Sequence, residues 1–122
     1  MILVDTSVWV DHLRSGDETL AKLLNAGTVL THPFVIGELA LGNLRHRETV
    51  LTLLQGLAFA TTASDQEALA FISLHLLAGR GIGYIDAHLL AAARLTAGAT
   101  LWTKDKRLAG IANDLGLAAR FD

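Results

Sequence analysis

Short apolar runs alternate with amphipathic stretches along the whole chain. Ile2-Leu3-Val4-Asp5 reads as a strand, and beyond Thr6-Ser7 the apolar positions Val8, Trp9 and Leu13 take up helical spacing as far as Gly16. Asp17-Glu18 opens a second helix to about Asn25, stopped by Gly27, and Thr28 to Thr31 reads as the next strand. Pro33, suited to the first turn of a helix, starts one that runs to about Leu44. Another helix spans roughly 46–55, closed by Gly56, and Leu57 to Thr61 is a third strand candidate. Ser64 with Glu67 three residues on is a capping-box signature for a helix from about 65 to 78. Gly79, Gly81 and Gly83 then make a turn, a long Ala/Leu helix covers about 85–97, and Thr100 to Thr103 is a strand. A helix from about 105 to 115 ends at Gly116, and Ala118 to Phe121 is a candidate last strand.

Short strands alternating with helices imply βαβ units, hence an α/β fold with a parallel sheet covered on both faces. The 122 residues carry no repeat or interdomain linker, so residues 1–122 are expected to form a single domain.

Four acids interrupt this pattern. Asp5 closes the first strand. Residues three and four positions from Glu38 are Phe34, Val35, Leu41 and Gly42; from Asp86 they are Leu89 and Leu90, and from Asp105 they are Leu108 and Ala109. Such positions share a helical face, so the carboxylates are expected to point toward the core. Each has an ordinary reading as well. Asp86 and Asp105 suit helix starts, Asp5 can cap the helix after it, and Glu38 faces solvent if its helix is rotated.

Taken together, the four favour a shared cation. Two carboxylates 4 Å apart repel by about 4 kcal/mol at an effective dielectric near 20. The ligands are hard oxygens, with no cysteine in the chain and no histidine at matching spacing, which points to Mg²⁺ or Mn²⁺. Such an ion activates water and stabilises charge on a phosphoryl group. Thr6, Ser7 and Thr103 add hydroxyls able to orient a carboxylate. His88 lies two residues from Asp86, about 200° round the helix, and reads as structural, as do His12, His32 and His75. Trp9 and Trp102 read as core residues.

Net charge is −2, but setting the four acids aside leaves eight acidic residues against ten basic ones. The bases cluster at Arg45-His46-Arg47 and at Lys104 with Lys106-Arg107, as solvated helix ends or as phosphate contacts. Hydrophobic residues reach 52% and mean hydropathy is +0.43. No apolar run approaches the roughly 18 residues of a membrane span, so the excess points to helix faces covered by another chain. The first residues lack a basic signal-peptide region and cysteine is absent, so a cytoplasmic location is expected.

The ordered motifs resemble the PIN-domain ribonucleases, and in size the VapC-type toxins of toxin–antitoxin pairs. They are Asp5-Thr6-Ser7 after a strand, Glu38 within Phe34-Val35-Ile36-Gly37-Glu38-Leu39, Asp86 opening an Ala-rich helix, and Leu101-Trp102-Thr103-Lys104-Asp105. The resemblance spans essentially the whole chain. It implies a three-layer α/β/α fold around a parallel five-stranded sheet, and Mg²⁺- or Mn²⁺-dependent endonucleolytic cleavage of RNA by an activated water. Asp5 and Asp86 would be the chief metal ligands, Glu38 and Asp105 would complete the pocket, and Ser7 and Thr103 would support it. Lys104, Lys106, Arg107 and Arg45 are the candidate RNA contacts, with unpaired RNA the expected substrate. The implied partners are a second copy, in a homodimer, and a small antitoxin lying across apolar helix faces and the active site. One departure is Leu108, where many relatives carry an aromatic residue three after the last acid.

Rival readings fit less well. A receiver domain needs a phosphoacceptor aspartate ending its middle strand, and Leu57 to Thr61 contains none. A haloacid-dehalogenase-type phosphatase needs an aspartate where Ser7 stands. The remaining alternative is a catalytically silent PIN-like module that binds RNA or protein, against which the four acids argue.

Overall fold

The computed structural model describes residues 1–121. In chain order the elements are β1 (Ile2–Val4), α1 (Thr6–Ser15), α2 (Glu18–Asn25), β2 (Val29–Thr31), α3 (Pro33–Leu41) and α4 (Arg47–Gln55). They continue with β3 (Ala58–Phe59), α5 (Asp65–Leu74), α6 (Tyr84–Leu95), β4 (Thr100–Trp102) and α7 (Lys106–Asp114). Each expected helix is present, and local chemistry explains their starts. Asp17 caps α2 by accepting from Leu20 N at 2.9 Å. Ser64 and Glu67 close the capping box of α5, with bonds of 3.0 and 2.9 Å. The α5 helix stops at Leu74, short of the expected 78. There Leu76 takes a left-handed φ of 55°, and Leu77 N turns back to Ile72 O.

The strands form one parallel sheet in the order β3-β2-β1-β4. It has four strands where five were expected. Ala118 makes only an isolated parallel bridge to Leu101, through Leu101 N to Leu117 O and Ala119 N to Leu101 O. The rest of the expected 118–121 strand has no partner in the ladder, and Phe121 packs edge-on against Trp102 instead. The third strand, expected over 57–61, shrinks to two exposed edge residues.

The chain steps from β1 to β2 to β3, then crosses back to place β4 on the far side of β1. Parallel crossovers are right-handed, so α1–α4 cover one face and α5–α7 the other. The packing agrees, with α1 against α3, α3 against α4, and α5 against α6. Between the layers lies one cluster that includes Leu3, Val4, Leu30, Leu89, Leu90, Leu101 and Ile111. Ala87 to Ala93 of α6 are all buried, because a helix of small residues can lie close on the sheet. Among the described residues no helix is long and apolar enough to cross a membrane.

This order fixes where a ligand can sit. Loops leaving β1 and β4 head to opposite faces, which opens a crevice at the carboxyl ends of these two neighbouring strands. Asp5 follows β1 and Thr103 follows β4. The Asp5 N–H donates to Trp102 O at 2.9 Å, locking the two strand ends together.

Candidate active site

Asp5 sits at the N-cap position of α1 but does not cap it with its side chain. Its carboxylate, 6% exposed, turns into the crevice between β1 and β4. There Oδ2 accepts from Ser7 Oγ at 2.8 Å and from Thr103 Oγ1 at 2.7 Å. The direction of those protons follows from the carboxylate, which can only accept. Lys104 N–H donates to Ser7 Oγ at 3.0 Å, and Asp105 N–H donates to Thr103 Oγ1 at 3.1 Å. Each hydroxyl has one proton, and both are aimed at Asp5. The supporting roles expected for Ser7 and Thr103 thus have a definite geometry.

The other three acids are also tethered by one oxygen. Asp86 stands in the first turn of α6, where Oδ2 accepts from Gly83 N at 3.0 Å. Asp105 caps α7 through Oδ1, which accepts from Leu108 N at 2.9 Å. Glu38, on α3, accepts at Oε1 from Thr6 Oγ1 at 2.7 Å. Thr6 therefore orients Glu38 across the α1–α3 contact rather than Asp5, its neighbour in sequence. In all four residues the second carboxylate oxygen has no hydrogen-bond partner among the described residues.

The capping reading of Asp86 and Asp105 and the site reading hold together, each using a different oxygen. The expectation that all four acids point into the core does not hold. Glu38 and Asp105 are exposed, and Asp86 is only partly covered. Leu89, Leu90 and Leu108 are buried beside Asp86 and Asp105, whereas of the neighbours of Glu38 only Val35 is buried and Leu41 is 91% exposed.

The charges of the other three acids bear on Asp86. Burial raises the Asp86 carboxyl above its ordinary value, against the pull of the Gly83 N–H, and the charges of Asp5, Asp105 and Glu38 raise it further. As the side chains stand, no three histidine or acidic groups among the described residues are close enough to hold an ion between them. Mg²⁺ keeps several of its waters and takes only one or two carboxylates directly, so two of these acids would be enough to hold it. With untethered carboxylate oxygens, no thiolate and mutual repulsion to relieve, the donor set fits Mg²⁺ or Mn²⁺.

The PIN domain family matches residues 2–114. This chain belongs to that family. Two curated relatives, each named Ribonuclease VapC32 and from two strains of Mycobacterium tuberculosis, are 46% identical to it over 118 residues. The alignment covers 97% of this chain and 95% of theirs. Among solved structures, one titled "Crystal Structure of FitAcB from Neisseria gonorrhoeae" shares the fold, with a TM-score of 0.62 and 22% identity. That match covers 93% of this chain and 94% of the other. The PIN assignment agrees with a site built at the switch point of a parallel sheet.

The candidate RNA contacts fall into two groups. Lys106, Arg107 and Arg45 are exposed. Lys104 is engaged elsewhere: its ammonium bonds Asp11 at 2.9 Å and Asp17 at 3.4 Å, tying the start of α7 to α1 and α2. The Asp11 bond foremost raises its pKa. Arg107 lies over Gly81, where an added Cβ would come within 2.7 Å of Nη1. His88 is buried, contacts Asp65 Oδ1 at 3.1 Å and packs against Phe34 and Tyr84. The sequence reading missed Tyr84 Oη, which reaches the same Asp65 oxygen at 2.8 Å and ties the first turn of α6 to α5. A polar ring at the head of an otherwise apolar helix was the available signal.

Proposed function

We propose that this chain is a metal-dependent endoribonuclease, the toxin of a VapBC-type pair, acting as a single PIN unit over residues 1–122. The observation that carries this reading is Asp5 held by Ser7 and Thr103 between the carboxyl ends of β1 and β4, with Glu38 tied to Thr6 beside it and Asp105 bonded through its N–H to Thr103; the charges of Asp5, Glu38 and Asp105 also bear on Asp86. Near-full-length similarity to proteins named as VapC ribonucleases supports the same activity.

Asp5 and Asp86 would hold a Mg²⁺ or Mn²⁺ ion, with Glu38 and Asp105 completing the pocket directly or through water. When bound, such an ion supplies Lewis-acid stabilisation of phosphoryl charge and an acidified water. The protein's part is preorganisation. Ser7 and Thr103 fix the Asp5 carboxylate, the Gly83 and Leu108 amides fix Asp86 and Asp105, and Thr6 fixes Glu38, so no carboxylate must be ordered as substrate arrives. Glu38 and Asp105, the exposed pair, would orient water beside a phosphodiester. Arg45, Lys106 and Arg107 would contact flanking phosphates.

A small antitoxin and a second copy are the proposed protein partners, and a cytoplasmic location follows from that role. Leu69, Leu74 and Leu76 are 58%, 76% and 78% exposed at α5, and an apolar cavity of ≈310 Å³ opens between α1, α2 and α4. Both are surfaces such partners would cover. The test is digestion of a mixed-sequence RNA with Mn²⁺ or Mg²⁺, with and without EDTA. Internal cuts that EDTA abolishes support the reading, and intact RNA with either ion rejects it.

A further inference from the structure

Five of the ten lysines and arginines are committed within the protein. Lys104 bonds Asp11 and Asp17, Arg80 bonds Asp114, and Arg120 bonds Asn113. Arg47 donates to Ala40 O and Arg94 to Leu115 O. Arg14, Lys22, Arg45, Lys106 and Arg107 have no hydrogen-bond partner among the described residues, and of these Arg14 and Arg45 line the same cleft, of ≈960 Å³. Glu38 lines it as well, so the cleft opens onto the acidic site.

Local structure shows how the cleft is aimed. Thr6, Val10 and Arg14 follow one another at i, i+4 and i+8 along α1, on one helical stripe. Thr6 is the residue bonded to Glu38. The stripe therefore runs from the acids to Arg14, about 12 Å away at 1.5 Å per residue. Across the cleft α3 ends at Leu41, and the turn through Gly42 and Asn43 carries Arg45 to the rim. The Arg47 bond to Ala40 O folds this turn back on its own helix, and His46, with a left-handed φ of 53°, begins α4 beside it. Val10, Leu13 and Leu39 form apolar walls between the guanidiniums. Two unpaired cations spaced along a groove with apolar walls match a strand with charged phosphates and flat bases.

We propose that this cleft is the track for single-stranded RNA flanking the cleaved phosphate, with Arg14 and Arg45 each contacting a backbone phosphate. The assignment rests on the ribonuclease reading above and extends it to substrate path. Each phosphate contact on a single strand contributes about 0.7 to the slope of log affinity against log salt.

The test is binding of a 2′-O-methyl RNA dodecamer to the full chain in EDTA across a salt series. Arg14→Ala/Arg45→Ala is expected to reduce the slope by about 1.4 and to weaken binding at least tenfold at low salt. Arg120→Ala removes the same kind of charge outside the cleft and is expected to keep the parental slope. A parental slope in the double variant overturns the track. The same slope together with weakened binding of an acidic, leucine-rich peptide overturns it in favour of a protein partner. The two readings separate cleanly. Loss of slope in a chain that cuts no RNA with Mn²⁺ keeps the track and rejects the nuclease, whereas Mn²⁺-dependent cutting with an unchanged slope does the reverse.

Discussion

Thr103 donates its hydroxyl proton to Asp5 at 2.7 Å across 98 residues of sequence. The bond joins the carboxyl ends of β1 and β4, the strands between which the chain changes direction across the sheet. The same hydroxyl accepts from Asp105 N–H at 3.1 Å and lies 3.3 Å from Ser7 Oγ, so the two hydroxyls and the carboxylate form one small network. Thr103→Val removes the donor and keeps the shape. It is expected to lower metal affinity and RNA cleavage by about 10- to 100-fold, the usual loss for a partner that orients a ligand. Thr103→Ser is expected to restore most of both. Mn²⁺ titration alongside cleavage rates checks this, and parental metal affinity in Thr103→Val would refute it.

Asp5→Asn and Asp86→Asn address the ligands themselves. Both are expected to fold and to lose metal-dependent cleavage by more than about 100-fold, beyond the effect of an orienting residue. Without metal, Asp86→Asn is expected to melt higher than the parent, because the charges of Asp5, Asp105 and Glu38 all bear on the carboxylate it removes. The asparagine oxygen can still accept from Gly83 N–H. Saturating Mg²⁺ is expected to raise the melting temperature of the parent and to leave this variant nearly unmoved. Thermal melts in EDTA and in Mg²⁺ decide it, and a variant that melts lower in EDTA counts against the convergence of the acids.

Gly81 is required twice over. Its φ of +82° disfavours any side chain, and the Arg107 guanidinium occupies the space a Cβ would take. Gly81→Ala is expected to cost about 1–2 kcal/mol, most of it backbone strain, since Arg107 is a flexible neighbour. Displacing Arg107 should also weaken RNA binding, as Arg107→Ala should, with Mn²⁺ affinity unchanged in both. Chemical denaturation and RNA titration at low salt measure the two effects, and parental RNA affinity in Arg107→Ala would remove it from the substrate contacts.

The sequence made the helices legible, because local signals specify them. Pro33 and the Ser64/Glu67 box mark helix starts wherever the rest of the chain lies. The fifth strand was not legible. Ala118 to Phe121 is apolar enough for a strand, but pairing depends on what β4 offers at its edge, and only Leu101 continues the ladder. Nor was the direction of the acids. A helical face tells which neighbours a residue shares, but the face of α3 that carries Leu39 is buried while Glu38, one residue earlier, is exposed. Long-range partners were beyond reach for the same reason. Nothing near Lys104 in the sequence points to Asp11, and nothing near Thr6 points to Glu38.

His32 provides a pH test away from the acids. It is the N-cap of α3, with Nδ1 accepting from Phe34 N at 3.0 Å, so the ring proton must sit on Nε2, which is buried without a partner. Protonation would bury a charge in a side chain that is 1% exposed and would remove the acceptor that caps the helix. Burial, with a smaller contribution from the neighbouring His88, lowers its pKa from 6.5 to about 4. The sign follows directly. The unfolded chain takes up this proton first, so the neutral ring contributes stability in full above pH 6.5, and that contribution is lost as pH falls toward about 4. A shift of this size corresponds to about 3 kcal/mol. His32→Asn keeps a good N-cap and has no proton to gain. It is expected to cost little at pH 7.5 and to flatten the decline in stability between pH 6.5 and 4. Urea unfolding of parent and variant at stepped pH measures the difference, and parallel curves would show that His32 takes up its proton equally in the folded and unfolded chain.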